Sequence, residues 1–178
     1  MKRDMQTLAQ VTGGLQHGLN TDFGVVTTDS RTLGPDSLYV ALRGERFDGH
    51  LFVPEAQAKG AAGALVSRAA SIDFPQVVVP DVLAGLTSFA SAWRSHFAGT
   101  VVGITGSNGK TTVKEMTGAI LARVGACLVT RGNLNNHIGV PLTLCRLEAT
   151  HRYAVIEMGA NHLGEIAHLA SVAQPDVG

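Results

Sequence analysis

The chain has 178 residues, 45% of them hydrophobic, which is enough for one ordinary domain or two small ones around packed cores. Its 14 basic residues balance 14 acidic ones, so no overall positive field favours a nucleic acid or an anionic membrane as partner. No stretch approaches the roughly 20 apolar residues that cross a bilayer, and no long apolar region follows Met1-Lys2-Arg3-Asp4-Met5-Gln6, so a cytoplasmic protein without membrane insertion is expected.

Residues 5–12 suit a short helix stopped by Gly13-Gly14. Val25-Val26-Thr27-Thr28 reads as a strand running into the polar Asp29-Ser30-Arg31. Ser37-Leu38-Tyr39-Val40-Ala41-Leu42 is a second strand, ending at the charged segment Arg43-Gly44-Glu45-Arg46-Phe47-Asp48-Gly49-His50. Residues 52–59 look helical up to Gly60, and Ala64-Leu65-Val66 and Gln76-Val77-Val78-Val79 are short strands. Pro80-Asp81 combines a break with a good helix start, which places a domain boundary between 1–81 and 82–178. The helix expected over 82–97 is apolar and periodic, and its Trp93, the only tryptophan, is read as core.

From residue 100 the pattern becomes strand 100–105, helix 110–124, strand 127–130, strand 153–156 and helix 164–173. Continuous apolar strands alternating with helices predict a parallel sheet covered on both faces, with ligands at the carboxyl ends of its strands. The fold class is therefore α/β: a small N-terminal α/β domain, then the start of a doubly wound parallel-sheet domain. Gln174-Pro175-Asp176-Val177-Gly178 reads as the beginning of another strand, and three strands make a thin sheet, so this second domain is expected to be incomplete. Cys127 and Cys145 sit in apolar contexts and are expected to be reduced core residues.

The chemistry concentrates in Val101-Val102-Gly103-Ile104-Thr105-Gly106-Ser107-Asn108-Gly109-Lys110-Thr111-Thr112. Gly106 and Gly109 free the backbone to aim successive N–H groups at one anion. Lys110 adds a full positive charge, and the following helix offers its N-terminal N–H groups to phosphate. Thr111 occupies the place of the hydroxyl that binds magnesium in P-loop proteins. The strict pattern G-x-x-x-x-G-K-[ST] would need glycine where Ile104 stands; the glycines are at 103 and 106 instead. Glu157, directly after Tyr153-Ala154-Val155-Ile156, puts a carboxylate at a strand's carboxyl end, where it can reach a metal on the phosphates; the alternative is a strand-end glutamate facing water. Asn161, His162 and Glu165 nearby exceed what a helix cap needs.

Three separated segments together resemble the Mur ligases: Thr105-Gly106-Ser107-Asn108-Gly109-Lys110-Thr111-Thr112, Gly132-Asn133-Leu134-Asn135-Asn136-His137-Ile138-Gly139-Val140-Pro141, and Val155-Ile156-Glu157-Met158-Gly159-Ala160-Asn161-His162-Leu163-Gly164-Glu165. Thr28-Asp29-Ser30-Arg31 and Leu42 through His50 look like the segments by which these ligases hold a UDP-sugar. The resemblance implies an ATP-dependent, ADP-forming amide ligase using ATP and Mg2+, working as a monomer through an acyl phosphate. It implies ATP contacts from Gly106, Ser107, Asn108, Gly109, Lys110, Thr111, Thr112, Asn135 and Asn136, and metal contacts from Thr111 and Glu157. Lys110, Glu157 and His162 would be catalytic. Ser30, Arg31, Arg43, Gly44, Asp48, Gly49, His50 and Asn161 would hold substrate. Within the family the Asn135-Asn136 turn and the Asn161-His162 loop favour the member that joins D-alanyl-D-alanine to UDP-MurNAc-tripeptide. The alternatives are a sister Mur or folylpolyglutamate-type ligase, or a nucleotide-binding module without ligase activity.

Overall fold

The computed structural model describes residues 1–45 and 47–178; Arg46, within the charged segment after the second expected strand, lies outside the described residues. The chain divides into two compact units, Met1–Phe89 and Ala90–Gly178.

In the first unit, α1 (Met5–Thr12) starts where Asp4 accepts a hydrogen bond from the Thr7 N–H and stops at Gly13, whose φ of 65° is left-handed. The strands are β1 (Leu15–His17), β2 (Val25–Thr27), β3 (Ser37–Val40), β4 (Gly63–Val66) and β5 (Gln76–Val78), with α2 (Val53–Ala58) between β3 and β4. They form one sheet in the order β1-β5-β4-β3-β2. β2, β3, β4 and β5 are mutually parallel, whereas β1 runs antiparallel to β5 with Gln16 opposite Val77. Between β3, β4 and α2 lies a cluster of Tyr39, Ala41, Val53, Ala56, Ala64, Val66 and Phe74. Burying a phenol without a partner would be costly, and the Tyr39 hydroxyl donates to the Gly49 carbonyl at 2.9 Å. Burial pushes that hydroxyl up to about 12.

β1 was not expected. Leu15 and His17 are exposed and only three residues pair, so no alternation of period two is long enough to signal a strand.

The unit boundary falls within α3 (Val82–Ser95), whose Asp81 accepts from the Leu83 and Ala84 N–H groups. Its buried positions include Leu86, Phe89, Ala90 and Arg94. Trp93 corrects the expectation of a core residue: it is half-buried, and its indole N–H donates to the Leu147 carbonyl at 2.9 Å. A ring with a polar handle settles where one edge can find an acceptor, not where packing is tightest. The neighbour takes the interior. Arg94 is 7% exposed, and its guanidinium donates to the carbonyls of Ala173 at 2.9 Å and Gln174 at 2.7 Å and pairs with Asp176 at 3.1 Å.

The second unit contains β6 (Thr100–Ile104), α4 (Lys110–Leu121), β7 (Cys127–Val129), α5 (Gly139–Leu144), β8 (Tyr153–Glu157) and α6 (Glu165–Ala173). β6-β8-β7 is an all-parallel sheet with Val102 opposite Val155 and Leu128 opposite Ala154. The expected further strand is present as a single parallel bridge from Val177 to Val102 on the free side of β6, and the Gly103 N–H donates to the Val177 carbonyl at 2.8 Å. The α/β class and the parallel second sheet are thus as expected. Cys127 and Cys145 are free thiols, Cys145 buried and Cys127 half-buried. No helix among the described residues is long and apolar enough to cross a membrane.

Candidate functional site

The site assembles at the carboxyl ends of β6, β7 and β8. β6 ends at Ile104 and the chain turns through Gly106, with φ of 144°, and Gly109, with φ of 75°, into α4. Both values favour glycine, so the two glycines are what this turn requires. Gly109 caps α4 without any side-chain hydrogen bond, which leaves the helix N-terminal N–H groups to a ligand. Lys110 folds back over the loop, its ammonium donating to the Gly106 carbonyl at 2.7 Å.

β8 delivers Glu157 into this turn. The carboxylate is 2% exposed, which rules out a glutamate facing water. Its Oε1 accepts from Asn135 Nδ2 at 2.7 Å and its Oε2 from Thr111 Oγ1 at 3.2 Å, and its own N–H donates to Thr130 Oγ1 at 2.9 Å. Thr130 is buried just past the end of β7 and anchors the Glu157 backbone, while Asn135 and Thr111 hold its carboxylate. Beneath it lies Lys114, 1% exposed, with its ammonium 3.7 Å from Glu157 Oε2 and 2.9 Å from Glu115 Oε1. Across the opening, Asn135 also accepts the Gly159 N–H on its backbone carbonyl at 2.8 Å. Asn136 Oδ1 accepts from the N–H groups of Ile138 at 3.1 Å and Gly139 at 2.9 Å, which starts α5. Gly139 approaches so closely that a Cβ there would lie 2.3 Å from the Leu134 carbonyl carbon.

A cleft of about 650 Å³ opens beside these groups, lined by Lys110, Asn133, Asn135, Asn136, His137, Asn161, His162 and His168 among others. Glu165, the first residue of α6, braces the cleft wall, its Oε2 accepting the N–H groups of Asn161 at 2.7 Å and His162 at 3.2 Å. Those two backbone donors, Asn161 first, hold its carboxyl below the usual range. Asn161 and His162 themselves are exposed on the cleft wall. Oxygen donors at Glu157 and Thr111, 3.2 Å apart and beside a phosphate loop, fit Mg2+, which takes one or two protein oxygens and completes its shell with phosphate and water. Among the described residues no cluster of three or more His, Cys, Asp or Glu could hold a metal ion by itself.

In the first unit, Ser30, Arg31, Arg43 and Gly44 lie beyond the carboxyl ends of the neighbouring strands β2 and β3. Arg31 is exposed and pairs with Asp29 through two contacts, Nε to Oδ1 at 2.8 Å and Nη2 to Oδ2 at 2.7 Å. Asp48 and His50 use their polar atoms inside the loop. Asp48 meets the His50 N–H at 3.0 Å, the His50 Nδ1 at 2.8 Å and Arg68 at 2.7 Å, while His50 Nε2 accepts the Ser67 N–H at 2.8 Å. Asp48, His50 and Ser67 thus resemble an acid-base-nucleophile line, but the imidazole lone pair is occupied by a backbone donor, so the line braces the loop. Gly49 is buried beneath it.

The Arg31 side chain holds the Asp29 carboxyl down to about 2, and Arg68, with His50 behind it, holds Asp48 lower still. A depressed carboxyl stabilises the fold above its unfolded value of about 4 and ceases to do so as pH falls toward the folded value. Urea midpoints should therefore drop between about pH 4 and about pH 2 in the wild type and drop less steeply in Asp29→Asn; parallel slopes would assign the acid sensitivity elsewhere.

Residues 104–178 match the family described as "Mur ligase middle domain", and residues 22–97 match "Mur ligase family, catalytic domain". The chain belongs to the Mur ligase family. It is 50% identical over 173 residues to the UDP-N-acetylmuramoyl-tripeptide–D-alanyl-D-alanine ligase of Escherichia coli, an alignment covering 96% of this chain and 38% of that protein. The Bacillus subtilis ligase of the same name is 39% identical over 185 residues, covering 99% of this chain and 40% of the relative. Among solved structures, MurF from Acinetobacter baumannii superposes with a TM-score of 0.92 at 42% identity, over 98% of this chain and 39% of that one. A MurF ligase from Thermotoga maritima in complex with ADP gives a TM-score of 0.76 at 35% identity, over 85% and 36%. The chain therefore spans about two fifths of the length of these relatives.

In this member of the Mur ligase family, sequence reasoning assigned no site role to Lys114, Thr130, Asn133, His137 or His168, which the structure places at the site. Lys114 had a signal: it lies four residues after Lys110 and four before Gly118, the other buried position of α4. A lysine in a helix is ordinarily solvated, and that expectation hid it.

Proposed function

We propose that this chain is the substrate-binding and nucleotide-binding part of an ATP-dependent ligase that joins D-alanyl-D-alanine to UDP-MurNAc-tripeptide. The observation that carries the reading is the buried Glu157 held by Thr111 and Asn135 directly beside an uncapped glycine-rich helix start. In that place the carboxylate can bring a metal ion to bound phosphates, as phosphoryl transfer requires. The names printed for the E. coli and B. subtilis relatives support the choice of substrates, and the ADP complex of the T. maritima relative supports the nucleotide.

The reaction has two steps. A tripeptide carboxylate oxygen attacks the γ-phosphorus, forming an acyl phosphate and releasing ADP. The D-alanyl-D-alanine amine then attacks the acyl carbon, forming the amide, expelling inorganic phosphate and losing a proton. Both steps bring anions together, so the protein's contribution is positioning and charge neutralisation. The N–H groups of residues 106–111 cradle the phosphates, and Lys110 exchanges the Gly106 carbonyl for a phosphate oxygen. Thr111 Oγ1 and Glu157 would hold Mg2+, which would offset the charge of the phosphates when bound. Asn135 keeps Glu157 aimed, and Asn161 and His162 face the tripeptide side of the cleft.

Residues 1–81 form the UDP-MurNAc-peptide domain in this reading, with the half-buried Ser30 and the exposed Arg31, Arg43 and Gly44 as its contacts, and residues 82–178 form the nucleotide domain. ATP and UDP-linked substrates are both cytoplasmic pools, which supports a cytoplasmic location. The test supplies the full-length protein with ATP, Mg2+, UDP-MurNAc-tripeptide and a panel of acceptor amines, and follows product by mass spectrometry. Pentapeptide from D-alanyl-D-alanine is the expected result; extension by a single amino acid or by glutamate instead would make it a sister ligase, and no product with any amine would overturn the ligase reading.

A further inference from the structure

Lys114 and Glu115 have no part in the reaction described above, yet Lys114 is among the most deeply buried side chains of the second unit. Burying an ammonium is unfavourable unless an anion meets it. Two do: Glu157 Oε2 at 3.7 Å, itself 2% exposed, and Glu115 Oε1 at 2.9 Å, whose side chain is 65% exposed. The first contact is too long for a hydrogen bond and is an ion pair; the second has hydrogen-bond length. Lys114 is thus shared between an outer carboxylate that water can reach and an inner one that faces the phosphate loop.

We propose that Lys114 is a positioning residue that makes metal loading of the cleft conditional on nucleotide. The proposal rests on the reading of Glu157 and Thr111 as the Mg2+ ligands. In the nucleotide-free protein the charges of Lys110 and Lys114 cancel those of Glu115 and Glu157 around the loop, so a lone divalent cation finds no net attraction and meets an ammonium beside its main ligand. A nucleotide brings several negative charges of its own. They reverse the local balance, engage Lys110, and make the same Glu157 oxygen favourable for the cation. Glu115 sets the strength of the device, because its short contact draws the ammonium partly away from Glu157.

Mn2+ binding, read by loss of the free-ion electron paramagnetic resonance signal, tests this with and without saturating ADP. The wild type should bind Mn2+ weakly alone and much more tightly with ADP. Lys114→Met, nearly isosteric and uncharged, should bind Mn2+ alone about tenfold more tightly than the wild type, shrinking the effect of ADP. A merely structural role would lower both affinities. Glu115→Gln, at an exposed position that leaves the fold undisturbed, should weaken Mn2+ binding in the absence of ADP by a few-fold, because the ammonium then belongs to Glu157 alone. Lys114→Met with unchanged or weaker nucleotide-free Mn2+ affinity overturns the proposal; if that variant does not fold, an unchanged affinity in Glu115→Gln does so. Failure of the wild type to bind ADP is a separate outcome that sinks the nucleotide reading of the cleft and the proposal with it.

Discussion

Lys110→Ala is expected to lower turnover by roughly 10²–10³-fold or more while leaving the fold intact. The ammonium is the cation at the mouth of the glycine-rich turn, and in the nucleotide-free chain its contact is a single bond to the Gly106 carbonyl at 2.7 Å, on an exposed loop. Removing it returns that carbonyl to water, so the loss of folding stability should stay within about 0.5 kcal/mol. In the proposed reaction the same ammonium would offset charge on the departing phosphates, and no other side chain among the described residues occupies its place beside the Gly106 carbonyl. The measurement is steady-state ADP release in the full-length protein alongside a thermal melt. Turnover close to wild type would mean that the phosphates lie elsewhere.

Glu157→Gln should do what Lys110→Ala does not: damage stability and activity together. The substitution keeps shape and preserves one acceptor for Asn135 Nδ2, but turns an amide N–H toward Thr111 and the Lys114 ammonium. A buried lysine that loses its inner carboxylate keeps only the water-exposed Glu115, and breaking a buried pair in this way typically costs about 3 kcal/mol. Turnover should fall by at least roughly 10²-fold, and the Mg2+ concentration for half-maximal rate should rise, since a charged ligand oxygen has been replaced by a neutral one. Urea denaturation gives the first quantity and a Mg2+ titration of rate the second. Wild-type rates at wild-type Mg2+ would remove Glu157 from the metal site.

These expectations could be framed from sequence because the residue pattern of a phosphate cradle is local. Glycines at 106 and 109, a lysine and a threonine stand in contiguous order between an apolar strand and a helix, and the position of Glu157 follows from where β8 ends. The parallel second sheet was legible for the same reason, as each of its strands is a continuous apolar run. What escaped depended on tertiary placement. α5 is a six-residue helix containing glycine and proline, started by a side chain three residues upstream, and no periodicity announces it. Trp93 is half-buried against expectation while its neighbour Arg94 takes the interior, because carbonyl groups about 80 residues away accept from the Arg94 guanidinium. Asp48 and His50 carry the residue types of a ligand loop, and only the positions of Ser67 and Arg68 reveal that they are occupied with each other.

Arg94 also bears on the order in which the second unit forms. Its acceptors at Ala173, Gln174 and Asp176 lie 79, 80 and 82 residues further along the chain, and the Asp176 carboxylate in turn receives the Val101 N–H at 2.7 Å. On a ribosome adding about 5–20 residues per second, the guanidinium emerges roughly 4–16 s before the carbonyls that will surround it. During that interval the last turn of α3 must keep Arg94 hydrated, so it cannot dock. β6 meanwhile has to wait for β8, its nearest partner in the sheet, across an intervening helix-strand-helix segment. Closure of loops this long precedes any reward from the contacts they make, which places the second unit among slowly nucleating parallel topologies. Arg94 should accordingly contribute after the folding transition state: Arg94→Met would speed unfolding and leave the refolding rate nearly unchanged.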